Sequence, residues 1–144
     1  RLVLNSYNCQ SDQNFELVIA DDGSQQETFD LINDFQKRSN LKVHHCWQPD
    51  KGFRAATVRN KAVIQTDAEY IIFTDGDCVP SSNFVKSHRV YSERHYFLAG
   101  NRILLSESFT NEVIKNKVLL NNFCFFSNKL KYESLCLFSF TIML

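Results

Sequence analysis

Glycine and proline are scarce, four and two in 144 residues, so collagen-like and Gly/Pro-rich low-complexity chains are excluded. An excess of one charge is absent as well, because sixteen basic residues balance sixteen acidic ones. The long-range attraction behind non-specific nucleic-acid binding is then missing, and no nucleic-acid partner is expected. Cys9, Cys46, Cys78, Cys124 and Cys136 are odd in number and widely spaced, with no C-x-x-C pair to suggest zinc or a redox dithiol. A reducing cytosol is the expected setting. The N-terminus lacks a basic start followed by an apolar run and a cleavage site. No apolar run reaches the ~18 residues that a membrane-spanning helix needs, since the longest candidate is only Leu135 to Leu144. What is present is 44% hydrophobic and 13% aromatic residues, without repeats or linkers. That is enough for one core burying about two thirds of the unfolded surface.

Phe15 to Ala20 and Tyr70 to Thr74 are short, nearly continuous apolar runs, as strands buried on both faces of a parallel sheet require. Between them Leu41, Val43, His45 and Trp47 alternate with more polar neighbours, which predicts a third strand. The intervening segments read as helices. Ser24 and Glu27 fit a capping box, followed by Phe29, Ile32 and Phe35 at helical spacing. Ala55, Ala56, Arg59, Ala62 and Val63 share one face of the second helix. A further helix is expected after Pro80 and Ser81, with Phe84, His88 and Tyr91 on one face, and Phe97 to Leu105 resembles another strand. Strand, helix, strand, helix, strand implies a doubly wound α/β fold whose ligands bind beyond the carboxyl ends of the strands. Asp21-Asp22-Gly23-Ser24 and Asp75-Gly76-Asp77 occupy those two places.

Two carboxylates closing a buried strand repel one another, and a divalent cation relieves that repulsion. Asp75 and Asp77 fit this description, with Gly76 between them for a sharp turn and hard oxygen ligands suited to Mg²⁺ or Mn²⁺. A plain polar turn would also produce the D-G-D triplet. An EF-hand is excluded, because counting from Asp75 the sixth position is Pro80 and the twelfth Lys86. Asp21 and Asp22 could equally serve turn and capping chemistry. It is the joint placement of the two acidic sites at one sheet edge that points to a ligand. Arg59, on a small-residue stripe, needs an acidic or phosphate partner, with Asp21 and Asp75 as structural alternatives. Lys51 and Arg54 precede a helix start that favours anions, or simply face solvent. His88 reads as a satisfied core histidine. His44 and His45 point to opposite sides of a strand and receive no role.

The segments FELVIADDGS, QPDKGFRAATVRNKAV, AEYIIFTDGDCVPSSNFVKSH and AGNRILL, in that order from about Phe15 to Leu105, resemble the family 2 glycosyltransferases of the GT-A fold. The form D-K-G-F-R with D-G-D-C is most similar to bacterial enzymes of surface polysaccharide or lipopolysaccharide synthesis. The resemblance implies a Rossmann-like, three-layer α/β domain with a mostly parallel sheet. It also implies an inverting, metal-dependent transfer of sugar from a nucleoside diphosphate, most often UDP, to a glycan or lipid-linked acceptor. Asp21 and Asp22 would then contact base and ribose, and Asp75 and Asp77 the metal, Mn²⁺ or Mg²⁺, with Asp75 also at the donor diphosphate. Arg54, Arg59 and Asn60 would border the donor pocket. A cytoplasmic protein, free or peripheral to the inner face of the membrane, is expected.

The sequence departs from that pattern at both ends. The family opens with a strand of the type V-S-V-I-I-P-T-Y-N, whereas this chain starts at Arg1 in what resembles the following helix. Beyond Leu105 the only acidic residues are Glu107, Glu112 and Glu133, none in the family's E-D base motif. The expected organisation is therefore a partial GT-A domain over 1–105 and a helical or irregular tail over 106–144, as a truncated or frameshifted gene would give. The competing reading is a non-catalytic or degenerate nucleotide-binding fragment. A nucleotidyltransferase finds no support, since no Gly-rich basic phosphate loop is present near the N-terminus.

Overall fold

A computed structural model describes residues 1–116. It divides into two compact units, residues 12–69 and residues 1–11 together with the chain from Tyr70 onward. The expected elements 106–144 enter this description only through one helix, and Leu135 to Leu144 lies outside the described residues.

In the 12–69 unit, strand β1 (Glu16–Asp21) is followed by helix α2 (Gln26–Arg38), strand β2 (Lys42–Trp47) and helix α3 (Ala55–Ile64); helix α1 (Leu2–Asn8) precedes them in the other unit. β1 and β2 are parallel, with Glu16 opposite Lys42 and Asp21 opposite Trp47. Side chains alternate along such a ladder, so each strand offers one set of residues to each face. Val18 and Cys46 share the face on which Val58 and Ala62 of α3 close a core. His45 stands on the other face, where Phe29 of α2 meets its ring at 5.6 Å. The unit is thus a helix, sheet, helix sandwich, and α2 contributes Ile32 and Phe35, each only 2% exposed. The fold class is α/β with a parallel sheet, as the sequence predicts.

Several local expectations are corrected. Helix α2 begins one residue after Gln25, without a side-chain cap, because the backbone N–H of Ser24 is taken by Asp21. α3 buries Val58 and Ala62 while Ala56 and Arg59 are exposed, which removes the argument that Arg59 needs a buried partner. Periodicity located the helix and Ala62 on its buried face, but Val58 rather than Arg59 fills the turn before it.

In the other unit, α1 buries Ser6 and Tyr7, helix α4 (Phe84–Tyr91) buries Val85 and His88, and helix α5 (Glu107–Asn116) buries Phe109 and Val113. Tyr91, expected on the buried face, is exposed. Tyr70 to Thr74 and Phe97 to Leu104 form no strand; only Leu105 makes an isolated bridge. An apolar run signals burial, but a ladder also requires a partner strand at hand, and neither segment has one among the described residues.

Candidate functional site

Two loops at the carboxyl ends of β1 and β2 are locked together by the first acidic pair. The Asp21 carboxylate accepts the Ser24 N–H at 2.8 Å and lies 2.9 Å from His45 Nε2, in a pair whose side chains are almost wholly buried. Asp22 accepts from Gln48 Nε2 and from the backbone N–H of Arg54, each at 2.6 Å. Burial opposes the charged form of Asp21, but the hydrogen bonds from Ser24 and His45 outweigh it and hold its pKa below the usual carboxylate range. The Gln48 and Arg54 donors likewise lower that of Asp22. Gly23, at φ +95°, lets the two loops touch: a Cβ built there would fall 2.5 Å from Asp50 Cβ. Trp47 closes the arrangement by donating its indole N–H to Ser24 O at 3.2 Å.

Arg54 forms the start of α3 and donates to Pro49 O, while its Nε is buried with no hydrogen-bond partner among the described residues. Arg59, Asn60 and Lys51 are exposed. Gln48 is the position that sequence reasoning missed. It is 1% exposed and bridges Asp22 to the Arg54 carbonyl. Nothing in the hydropathy pattern marks a glutamine after a strand as a bracket between loops. His45 was passed over for the same reason, because alternation gives the direction of a side chain but not the carboxylate it meets.

The second acidic site belongs to the other unit. Ligand atoms of Asp75, Asp77 and Cys78 all lie within 4.8 Å of one another, the one such group of three among the described residues. Asp75 is half-buried and Asp77 exposed. Burial first, then the charge of Asp77, pushes the Cys78 thiol up in pKa, and its Sγ sits 3.6 Å from Asp77 Oδ1 as a donor. Two of the three are hard carboxylates, ligands of the kind that fits Mg²⁺ or Mn²⁺. The backbone does turn sharply at Gly76 and Asp77, closed by the Cys78 N–H donating to Asp75 O at 3.1 Å, although Gly76 has neither a positive φ nor crowding around it. In the same unit Tyr7 of α1 is pushed up to about 12, chiefly by burial. His88 is 7% exposed, hydrogen-bonded to Tyr70 at 2.8 Å and edge-on to Phe84, with its pKa lowered by burial. It is a satisfied core histidine.

The sequence model for "Glycosyl transferase family 2" matches residues 1–141. Among curated proteins the chain is similar to validoxylamine A glucosyltransferase of Streptomyces hygroscopicus subsp. jinggangensis, 31% identical over 75 residues, covering 52% of the chain and 17% of that protein. It is also similar to chondroitin synthase of Escherichia coli, 28% identical over 74 residues, 51% of the chain and 10% of the relative. A third is the poly(ribitol-phosphate) beta-N-acetylglucosaminyltransferase TarS of Staphylococcus aureus, 27% identical over 82 residues, 57% of the chain and 14% of the relative. The chain thus matches less than a fifth of the length of each of these relatives.

Proposed function

The chain belongs to glycosyl transferase family 2, and on that premise we propose that it carries the donor-binding part of an enzyme that moves a sugar from a nucleoside diphosphate, UDP first, to a glycan or lipid-linked hydroxyl. The observation that carries this reading is the gathering of the Asp75 and Asp77 carboxylates within 4.8 Å, in a chain whose family works on activated sugars. Asp75 and Asp77 would hold Mn²⁺ or Mg²⁺. When bound, such an ion supplies positive charge where the departing diphosphate gains negative charge.

The remaining roles fall to the chain's own side chains. Asp21 and Asp22 fix the backbones of Ser24 and Arg54 and so shape the wall for base and ribose. Arg54, Arg59 and Asn60, at and just inside the start of α3, offer donors to the phosphates, where helix N–H groups favour anions. Inversion at the anomeric carbon requires a base for the acceptor proton. Glu107 and Glu112, both exposed on α5, are the first residues to substitute in seeking it.

The relatives' named activities, chondroitin synthesis and N-acetylglucosaminyl transfer to poly(ribitol-phosphate), support a polymeric acceptor and a place in surface polysaccharide synthesis. No helix among the described residues is long and apolar enough to cross a membrane, and we place the reaction in the cytoplasm, free or against the inner membrane face. Calorimetry with UDP, with and without Mn²⁺, tests the core of the proposal. Binding should strengthen with Mn²⁺, and Asp75→Asn with Asp77→Asn should abolish the difference, since amides do not offset the ion's charge. Equal binding with and without metal would count against it.

A further inference from the structure

Arg102, from the segment after α4, has no part in the reading above, yet its guanidinium Nη1 lies 3.7 Å from Asp75 Oδ2, with both side chains about one-third exposed. Asp75 is one of the three residues of the acidic cluster, so a fixed positive charge reaches into that cluster. A contact of 3.7 Å is longer than the ~2.7–2.9 Å of a closed N⁺–H···O⁻ bond. Such a pair is attractive but can open. A divalent ion on Asp75 would stand within a few ångströms of this guanidinium, and like charges so close, partly shielded from water, repel strongly.

We propose that Arg102 is the built-in counter-ion of the Asp75–Asp77 site: it competes with the divalent metal for Asp75 and, once displaced, binds the diphosphate that arrives with the metal. The inference rests on the metal reading of Asp75 and Asp77. It follows from three facts of chemistry. An arginine keeps its charge at any physiological pH, so the competition is always present. The side chain is long enough to leave a carboxylate without leaving the site. Its planar fork matches phosphate oxygens in two parallel bonds, whereas a carboxylate already on a metal offers it less. Arg102 therefore makes metal and donor bind together more favourably than either alone, a coupling between two ligands through one side chain.

The test titrates Mn²⁺ alone, by loss of the free-ion paramagnetic resonance signal, and then UDP at saturating Mn²⁺ by calorimetry. Both are run on the whole chain and on Arg102→Gln and Arg102→Lys, with circular dichroism confirming each fold. Arg102→Gln should bind Mn²⁺ about fivefold more tightly in the absence of nucleotide, because the competing charge is gone. It should bind UDP about tenfold more weakly once metal is saturating, because a charged hydrogen-bond donor is lost. Arg102→Lys keeps the charge but not the fork, so its Mn²⁺ affinity should stay near that of the unaltered chain while UDP weakens. Unchanged or weaker Mn²⁺ binding by Arg102→Gln overturns the proposal, as does unchanged UDP affinity. Should neither the unaltered chain nor Arg102→Gln bind Mn²⁺, the metal reading of Asp75 and Asp77 falls first, and this inference with it.

Discussion

Each of the two units carries one acidic pair, Asp21 and Asp22 in one and Asp75 and Asp77 in the other, and they hold these pairs in different ways. In 12–69 the acidic pair stands at the end of a hydrogen-bonded ladder, and each carboxylate accepts a backbone N–H, from Ser24 and from Arg54. In the other unit, the segment bearing Asp75 and Asp77 has no ladder among the described residues. Apart from single backbone bonds such as Cys78 N–H to Asp75 O, its surroundings are tied by side chains: Tyr70 to His88, and Gln10 to Ser81 and Val85. Backbone pairing tolerates most side-chain substitutions, whereas a site held by side chains depends on each of them. The Asp21–Asp22 arrangement should therefore fail through glycines and carboxylates, and the surroundings of Asp75 and Asp77 through buried polar anchors.

The largest expected effect is at Gly23. An alanine there would meet a strained φ and a Cβ 2.5–2.6 Å from Asp50 side-chain and backbone atoms, which should cost roughly 3 kcal/mol or more. Gly52→Ala is its control. Its φ is +84° but nothing lies within 4 Å, so only the conformational term remains, about 1 kcal/mol. Urea unfolding of both variants reads the difference; equal losses would show that the two loops do not press on each other at Gly23.

Next is Gln10, which is 4% exposed, donates to Ser6 O and Ser81 O, and accepts the Val85 N–H at 3.0 Å. Gln10→Ala strands those groups, at about 2 kcal/mol. Amide exchange should accelerate at Val85 and through α4 while β1 and β2 keep their protection. Uniform acceleration across both units would break the comparison, because it would mean that they open as one.

Much of this was legible beforehand, and the failures share a cause. β1 follows from a short apolar run, β2 from period-2 alternation, and α2, α3 and α4 from period-3.6 patterns, all of which report local geometry. Tyr70 to Thr74 has the composition of a strand, yet strand status depends on a neighbour that a one-dimensional pattern does not contain. The D-G-D triplet was legible as a chemical motif, and its two carboxylates do converge. Arg102, Gln48 and His45 were invisible because each owes its role to a residue more than twenty positions away: Arg102 to Asp75, Gln48 to Asp22 and His45 to Asp21. The burial of Arg59 was misjudged, since the residue is exposed, because a helical stripe fixes spacing but not the absolute direction of the buried face.

The smallest expected effect separates the units by pH. In the 12–69 unit, Glu16 is lowered to about 2, first by the Thr66 hydroxyl and then by Lys42, whose ammonium sits 2.9 Å away. A carboxylate with a depressed folded pKa contributes stability above its unfolded value near 4.5, and that contribution is lost as pH falls toward 2. Glu16→Gln should remove about 1 kcal/mol at neutral pH and flatten the acid limb. In the other unit Tyr7 is raised to about 12 by burial. A raised acid contributes below its unfolded value of 10.0, so this stability is lost as pH climbs from there toward 12. Trp47 is the one tryptophan of the chain and its fluorescence reports the 12–69 unit, while tyrosinate absorbance, compared with Tyr7→Phe, reports the other. On acidification the tryptophan signal should move while the Tyr7→Phe variant behaves like the unaltered chain; on alkalinisation the Tyr7→Phe variant should hold its structure longer. If Glu16→Gln left the acid limb of the tryptophan signal unchanged, the ladder's amino-terminal end would owe nothing to its charge cluster, and backbone pairing alone would account for the sturdiness of the 12–69 unit.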